Sequence, residues 1–199
     1  MKHFWNERFS SEIYIYGELP NKFFRSQLSL LPKGNILLPG EGEGRNAVWA
    51  AANGWQVDAV DYSESGREKA LALSAKNNVK LNDYLIEDLT FFEPKKLYYD
   101  VIALVFVHLN PVDRPVLHQK LVEALKPGGR IIIEAFTPDQ LRFNSGGPRN
   151  PDLLYSAEML AGDFAQLKIN LLEESIGFLD EGDNHAGKAA LVRLVAEKL

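Results

Sequence analysis

Short apolar runs alternate with helix-like patterns along most of the chain. Asn35 to Pro39 (NILLP) predicts a buried strand that stops at a glycine cluster, and Arg45 to Asn53 predicts a helix closed by Gly54 at its C′ position. Gln56 to Val60 is the next strand and runs into Asp61; Ser63 can cap a helix through about Lys76, with Leu71 and Ala75 on one face. Leu81 to Ile86 and Val101 to Val107 follow as strands, the second apolar throughout, as expected of a central strand covered on both faces. A helix from Pro111 to Leu125 stops at Pro127-Gly128-Gly129, and Arg130 to Ala135 is a fifth strand. This β-α-β-α rhythm means a parallel, doubly wound sheet.

The pattern then changes. After a helix from Ser156 to Ala165, two strand-like segments, Leu167 to Leu179 and Lys188 to Ala196, are joined by a connector too short for a crossover helix. They are expected to form an antiparallel hairpin at the sheet edge. At the other end, Asn21 to Leu31 predicts an amphipathic helix with Phe24, Leu28 and Leu31 on one stripe, preceded by an aromatic arm with Trp5, Phe9, Tyr14 and Tyr16.

Composition narrows the function. The 199 residues, 46% hydrophobic and 25% charged, match an ordinary globular chain, and residues 1–199 read as one domain. The absence of cysteine excludes disulfide scaffolds and thiolate chemistry, and the four scattered histidines give no metal spacing, so no metal is expected. A net charge of −5 without a basic stripe argues against nucleic acid as a partner, and no apolar run approaches membrane-span length. A small-molecule partner and a cytoplasmic location are expected; no feature selects an oligomeric state.

The first strand-to-helix turn reads Gly40-Glu41-Gly42-Glu43-Gly44-Arg45-Asn46, and Asp61 ends the second strand about twenty residues later, where an acid commonly holds ribose hydroxyls. A dinucleotide fingerprint would place glycine at 45, and no P-loop Gly-Lys-Ser/Thr exists. Two carboxylates in the turn would repel a diphosphate. S-adenosylmethionine (SAM), with a sulfonium, an ammonium and no phosphate, fits them. A nucleotide-dependent oxidoreductase is therefore the last of the readings.

With LLPGEGEGRNA, AVDYS, LKPGG, the arm WNERF and the closing LDEG…HAGKAALV, the sequence resembles class I SAM-dependent methyltransferases, in particular the small bacterial branch related to tellurite-resistance and thiopurine methyltransferases. The resemblance implies an α/β, Rossmann-like doubly wound α-β-α sandwich with seven strands in the order 3-2-1-4-5-7-6 and an antiparallel C-terminal hairpin. Residues 35–199 would form the core, and residues 1–31 an arm and helix covering the site. It implies that Gly40, Glu41, Gly42, Arg45 and Asn46 wrap the methionyl and ribose parts of SAM. Asp61 would take the ribose, Tyr62 and Ser63 would lie beside it and the adenine, and Asp88 and Leu89 would meet the adenine edge. Leu104, Val105 and Phe106 would flank the transferable methyl.

One position departs from the class. The acid usual two residues before the first turn glycine is Leu38 here, so Glu41 is expected to supply that carboxylate from within the turn. His108 is the candidate base, or else a ring bonded to backbone. Arg8, Arg114, Arg142 and Arg149 are candidates for gripping an anion, and the arm with Tyr16 for a lid or for ordinary packing against the sheet edge; His185 reads as a polar loop residue, its HxGK context leaving a site role open. The expected function is methyl transfer from SAM to a small acceptor, with a soft thiol or chalcogen nucleophile suggested by the resemblance. The alternative is a SAM-binding sensor or scaffold without transferase activity.

Overall fold

The computed structural model describes residues 2–199. In chain order the elements are α1 (Lys2–Phe9), α2 (Lys22–Leu28), β1 (Asn35–Pro39), α3 (Arg45–Ala52), β2 (Gln56–Asp61), α4 (Glu64–Lys76) and β3 (Asp83–Ile86). They continue with β4 (Tyr99–Val105), α5 (Asp113–Ala124), β5 (Leu125–Phe136), α6 (Ala157–Asp163), β6 (Lys168–Asp180) and β7 (Ala186–Glu197), with 3₁₀ turns at Pro138–Arg142 and Pro151–Leu153. The seven strands form one sheet in the order β3-β2-β1-β4-β5-β7-β6. Strands β1 to β5 pair in parallel, and β7 runs antiparallel to both β5 and β6. The topology is the expected one.

Two apolar layers sandwich the sheet. One holds Leu37, Ile102, Leu104, Ile131 and Ile133 against Leu117 and Leu121 of α5 and Phe164. The other sets Ile36, Leu38, Val57 and Ile132 against Phe24 and Leu28 of α2 and Ala47 and Ala50 of α3. Alternate residues of β1 face opposite layers, as the period of two requires. No helix among the described residues is long and apolar enough to cross a membrane.

Element ends follow capping chemistry. Asn21 accepts from the Phe24 amide, Ser63 from Gly66 and Ser156 from Met159, each satisfying one of the free N–H groups of a first helical turn. Two readings of the sequence are corrected. The arm begins with a helix, α1, and the buried stripe of α4 is Gly66, Ala70, Leu73 and Ser74, while Leu71 and Ala75 face solvent. Burying Ala70 instead of Leu71 lets α3 and α4 approach closely. A Cβ on Gly44, where φ is +89°, would collide with Ala70.

Candidate active site

A cleft of about 820 Å³ opens beyond the C-terminal ends of β1, β2 and β4, where ligands sit in open α/β sheets. Its floor is the turn between β1 and α3. Gly40, Gly42 and Gly44 all have positive φ there, which fixes the turn's path and explains why glycine recurs at every second position.

The carboxylates of this turn have separate jobs. Glu41 Oε1 accepts the Asn46 and Ala47 amides at 2.8 and 2.7 Å, capping α3, while the side chain also lines the cleft. Burial lifts its pKa to about 7, against the opposing pull of those amides and Arg45. Glu43 borders the cleft too but is already engaged: buried, it pairs with Lys69 at 2.5 Å and accepts the Ile15 amide at 2.9 Å, tying the arm to the turn. Only one of the two turn carboxylates is therefore free to meet a cofactor. Asp61 accepts the Gly42 amide at 3.0 Å and the Ser63 amide at 2.9 Å, and burial raises its pKa.

Gly40, Glu41, Gly42, Arg45, Asn46, Asp61, Tyr62, Asp88, Leu89, Val105 and Phe106 all line the cleft, as do Arg8, Tyr16 and His108. Three others do not. Ser63 is fully buried, caps α4 and donates to Asn6. Leu104 points into the core, because side chains alternate along β4. Arg114 is buried against Asp163 at 2.7 Å, beneath the ring of Tyr155, so it is a structural cation. Leu38 is likewise a core residue.

Arg45 and Asn46 line the cleft with much of their polar surface already spent. Arg45 bonds Glu181 at 2.7 Å and the Tyr16 carbonyl at 3.2 Å; Asn46 Oδ1 accepts the Asn21 amide. His108 is held by backbone on both sides of its ring: Nδ1 lies 2.6 Å from the Leu153 carbonyl and Nε2 3.3 Å from the Phe136 amide. Burial lowers its pKa to about 4, so it is neutral at pH 7 with no nitrogen to spare. The backbone reading of His108 describes this geometry, and the base reading has no free lone pair to work with.

The far end of the cleft is aromatic. Phe106, held at φ +55°, stacks on Phe136 at 4.6 Å, and His185 lies 4.4 Å from Tyr16 and 4.5 Å from Phe106 between ring centroids. Trp5 and Phe9 close it from α1, and Arg8 sits 5.4 Å above the Trp5 ring. His185 and its buried neighbour Glu181 therefore belong to the site. The connector that carries them reads as a polar loop, and only hairpin closure brings it back against Arg45, Tyr16 and Phe106. The HxGK context was the sequence signal that pointed there.

Residues 36–129 match the model of the methyltransferase domain family. The chain is 31% identical over 153 residues to probable thiol methyltransferase 2 of Arabidopsis thaliana, covering 75% of this chain and 63% of that protein. It spans less than two thirds of the length of this and the next curated relative. Among solved structures it superposes on TehB from Haemophilus influenzae with a TM-score of 0.75 at 16% identity, over all of this chain and 67% of that one. It also superposes on the N-methyltransferase NodS from Bradyrhizobium japonicum bound to S-adenosylhomocysteine, with a TM-score of 0.76 at 13% identity over 99% and 97% of the two chains. Matched segment and site coincide: residues 36–129, which resemble the methyltransferase domain family, hold β1 from Ile36 onward, the glycine turn and the ends of β2 and β4 that border the cleft.

Proposed function

We propose that the protein transfers the methyl group of SAM to a small acceptor with a soft, thiol-like nucleophile. One observation carries the choice of cofactor. Glu41, Asp61 and Asp88 line the same end of the cleft, and among the described residues none of them forms an ion pair. Three acidic groups without an ion pair suit a ligand bearing ammonium, sulfonium and ribose hydroxyls and oppose a diphosphate. About 820 Å³ holds such a cofactor with room for a small acceptor.

Bound SAM would supply an electrophilic methyl on a positive sulfur; the residues do the rest. Glu41 takes the ammonium in place of the acid missing at Leu38, and Asp61 takes the ribose hydroxyls. Asp88 and Leu89 edge the adenine beside Tyr62, while Val105 and Phe106 flank the methyl. Trp5, Phe9 and Tyr16 exclude water from the transfer, which proximity and alignment then accelerate. The thiol acceptor is supported by the thiol methyltransferase relative and by the aromatic, polarisable lining of the acceptor end. Residues 2–16 serve as the cover of the site, while α2 packs against the sheet.

Calorimetric titration with S-adenosylhomocysteine, with NADH as control, tests the cofactor, and methylation of a panel of thiol, amine and phenol acceptors tests the transfer. Micromolar binding of the first ligand with turnover of thiols is expected. Binding without turnover on any acceptor would return the protein to the non-catalytic reading, and binding of NADH alone would overturn the cofactor.

A further inference from the structure

Among the described residues four buried side-chain atoms lack a hydrogen-bond partner: Trp55 Nε1, Ser74 Oγ, Arg114 Nη1 and His185 Nδ1. Only His185 lines the cleft. Its ring is 5% exposed and clamped by Tyr16, Phe106 and Phe136. Nδ1 faces Glu181 Oε2 at 3.8 Å. That carboxylate is itself fixed, since Oε2 takes the Arg45 guanidinium at 2.7 Å and Oε1 takes Asn21 Nδ2 at 2.9 Å. Glu181 Oε2 is the acceptor that Nδ1 faces, and a ring carrying its proton on Nδ1 has its lone pair on Nε2. Gly146 stands beside this edge at φ +110°; a Cβ there would come within 2.6 Å of Cδ2 and 3.1 Å of Nε2, so any larger residue would close off Nε2, which has no hydrogen-bond partner among the described residues and is not among the fully buried atoms.

Resting on the methyl-transfer reading, we infer that His185 is the general base that deprotonates the acceptor, with Glu181 as the positioning residue that orients the ring. As the acceptor's lone pair forms its bond to the methyl carbon, the C–S bond breaks and its electron pair stays on sulfur, which becomes a neutral thioether. The acceptor's proton passes to His185 Nε2. The resulting imidazolium carries Nδ1–H against the Glu181 carboxylate and loses its proton to water when product leaves. Orientation by a third group is the usual arrangement for such a base.

The groups facing His185 are Glu181 from its own turn, Arg45 from α3, Arg8 from α1, Tyr16 from the arm and His108 from the loop after β4. Burial, with Arg45 and Arg8, holds its pKa below the ordinary imidazole value despite Glu181, so the ring is neutral and able to accept a proton at pH 7.

The test is a series of thiols whose pKa values run from below to above the assay pH, with kcat/KM measured for the native protein, His185→Gln, Glu181→Asp and Glu181→Gln. His185→Gln is expected to keep the affinity for S-adenosylhomocysteine within about twofold and to lose about 100-fold or more on protonated alkyl thiols. On thiols already ionised it should lose less than about fivefold, because no proton remains to be taken. Glu181→Asp should retain more activity than Glu181→Gln. An equal loss on every thiol, or no loss, overturns the base while leaving methyl transfer standing; a native protein inactive on the whole series removes both. Should His185→Gln not fold, the native pH profile decides. With a base, kcat/KM on an alkyl thiol levels off below neutrality; a climb to the thiol's own pKa overturns it.

Discussion

Replacing Glu181 by Gln removes the negative member of a buried pair. Glu181 is 7% exposed and lies 2.7 Å from Arg45, itself buried. Burial alone would raise its pKa, but His185 and the Arg45 guanidinium outweigh burial and hold the carboxyl down at about 2. Against an ordinary value of 4.5, each unit is worth about 1.4 kcal/mol, so the carboxylate contributes about 3 kcal/mol to folding at neutral pH. The cost of leaving one member of a buried pair uncompensated, about 3–5 kcal/mol, is of the same size. Because the folded-state value lies below the unfolded one, this stabilisation is complete above the ordinary carboxylate range. It is lost as the pH falls from about 4.5 toward 2. Urea unfolding of native and Glu181→Gln protein should therefore differ by about 3 kcal/mol at pH 7, a Tm loss of about 6–12 °C. The gap should shrink to about 1 kcal/mol near pH 3. A difference below about 1 kcal/mol at pH 7, or one that does not change with pH, would refute the ion-pair account.

Three further outcomes follow from the site. Glu41→Gln should weaken S-adenosylhomocysteine binding at pH 8 by about tenfold or more. It should also abolish a decline in affinity as the pH of the native protein drops below about 7; calorimetry across pH 6–8 checks both, and unchanged affinity removes Glu41 from the ammonium. His108→Ala leaves the Leu153 carbonyl and Phe136 amide without partners, so denaturant unfolding should show a loss of about 2–4 kcal/mol. Its activity loss should be the same for ionised and protonated acceptors; a loss confined to protonated ones would make His108 the base after all. Gly44→Ala adds a methyl at φ +89° against Ala70, and a loss of more than about 2 kcal/mol in thermal unfolding is expected.

The parallel strands, the glycine turn and the hairpin were legible because each rests on local pattern: short apolar runs, a cluster of glycines after the first strand, and a connector too short for a crossover; the strand order came from the family resemblance alone. The helix α1 was not, since KHFWNERF has no apolar stripe and its aromatic residues serve the cleft instead of a core. Among site residues, Asp61 was readable from its position at a strand end, and Tyr62, Asp88, Leu89, Val105 and Phe106 from the family resemblance. Ser63, Leu104 and Arg114 were misplaced because neighbours in sequence diverge in direction: one caps a helix, one alternates inward, one faces α6. Nothing local shows that Glu43 is paired and Glu41 is not; the partner Lys69 arrives from α4. Glu181 escaped for the same reason at longer range, and His185 was marked only by its HxGK context.

Asn21 shows what that range means for how the molecule comes together. Its side-chain amide joins Glu134, 113 residues away, to Glu181, 160 residues away. Closing chain segments of that length is entropically costly, so these contacts form only after the sheet already holds their ends close. The acceptor end of the cleft is thus assembled last, with Asn21 expected near a φ-value of zero, and mutations there should speed unfolding more than they slow folding. A nascent chain acquires its cofactor turn early but its acceptor pocket only once β7 has been made, so ligand capture and chemistry are separated in the order of folding as they are along the cleft.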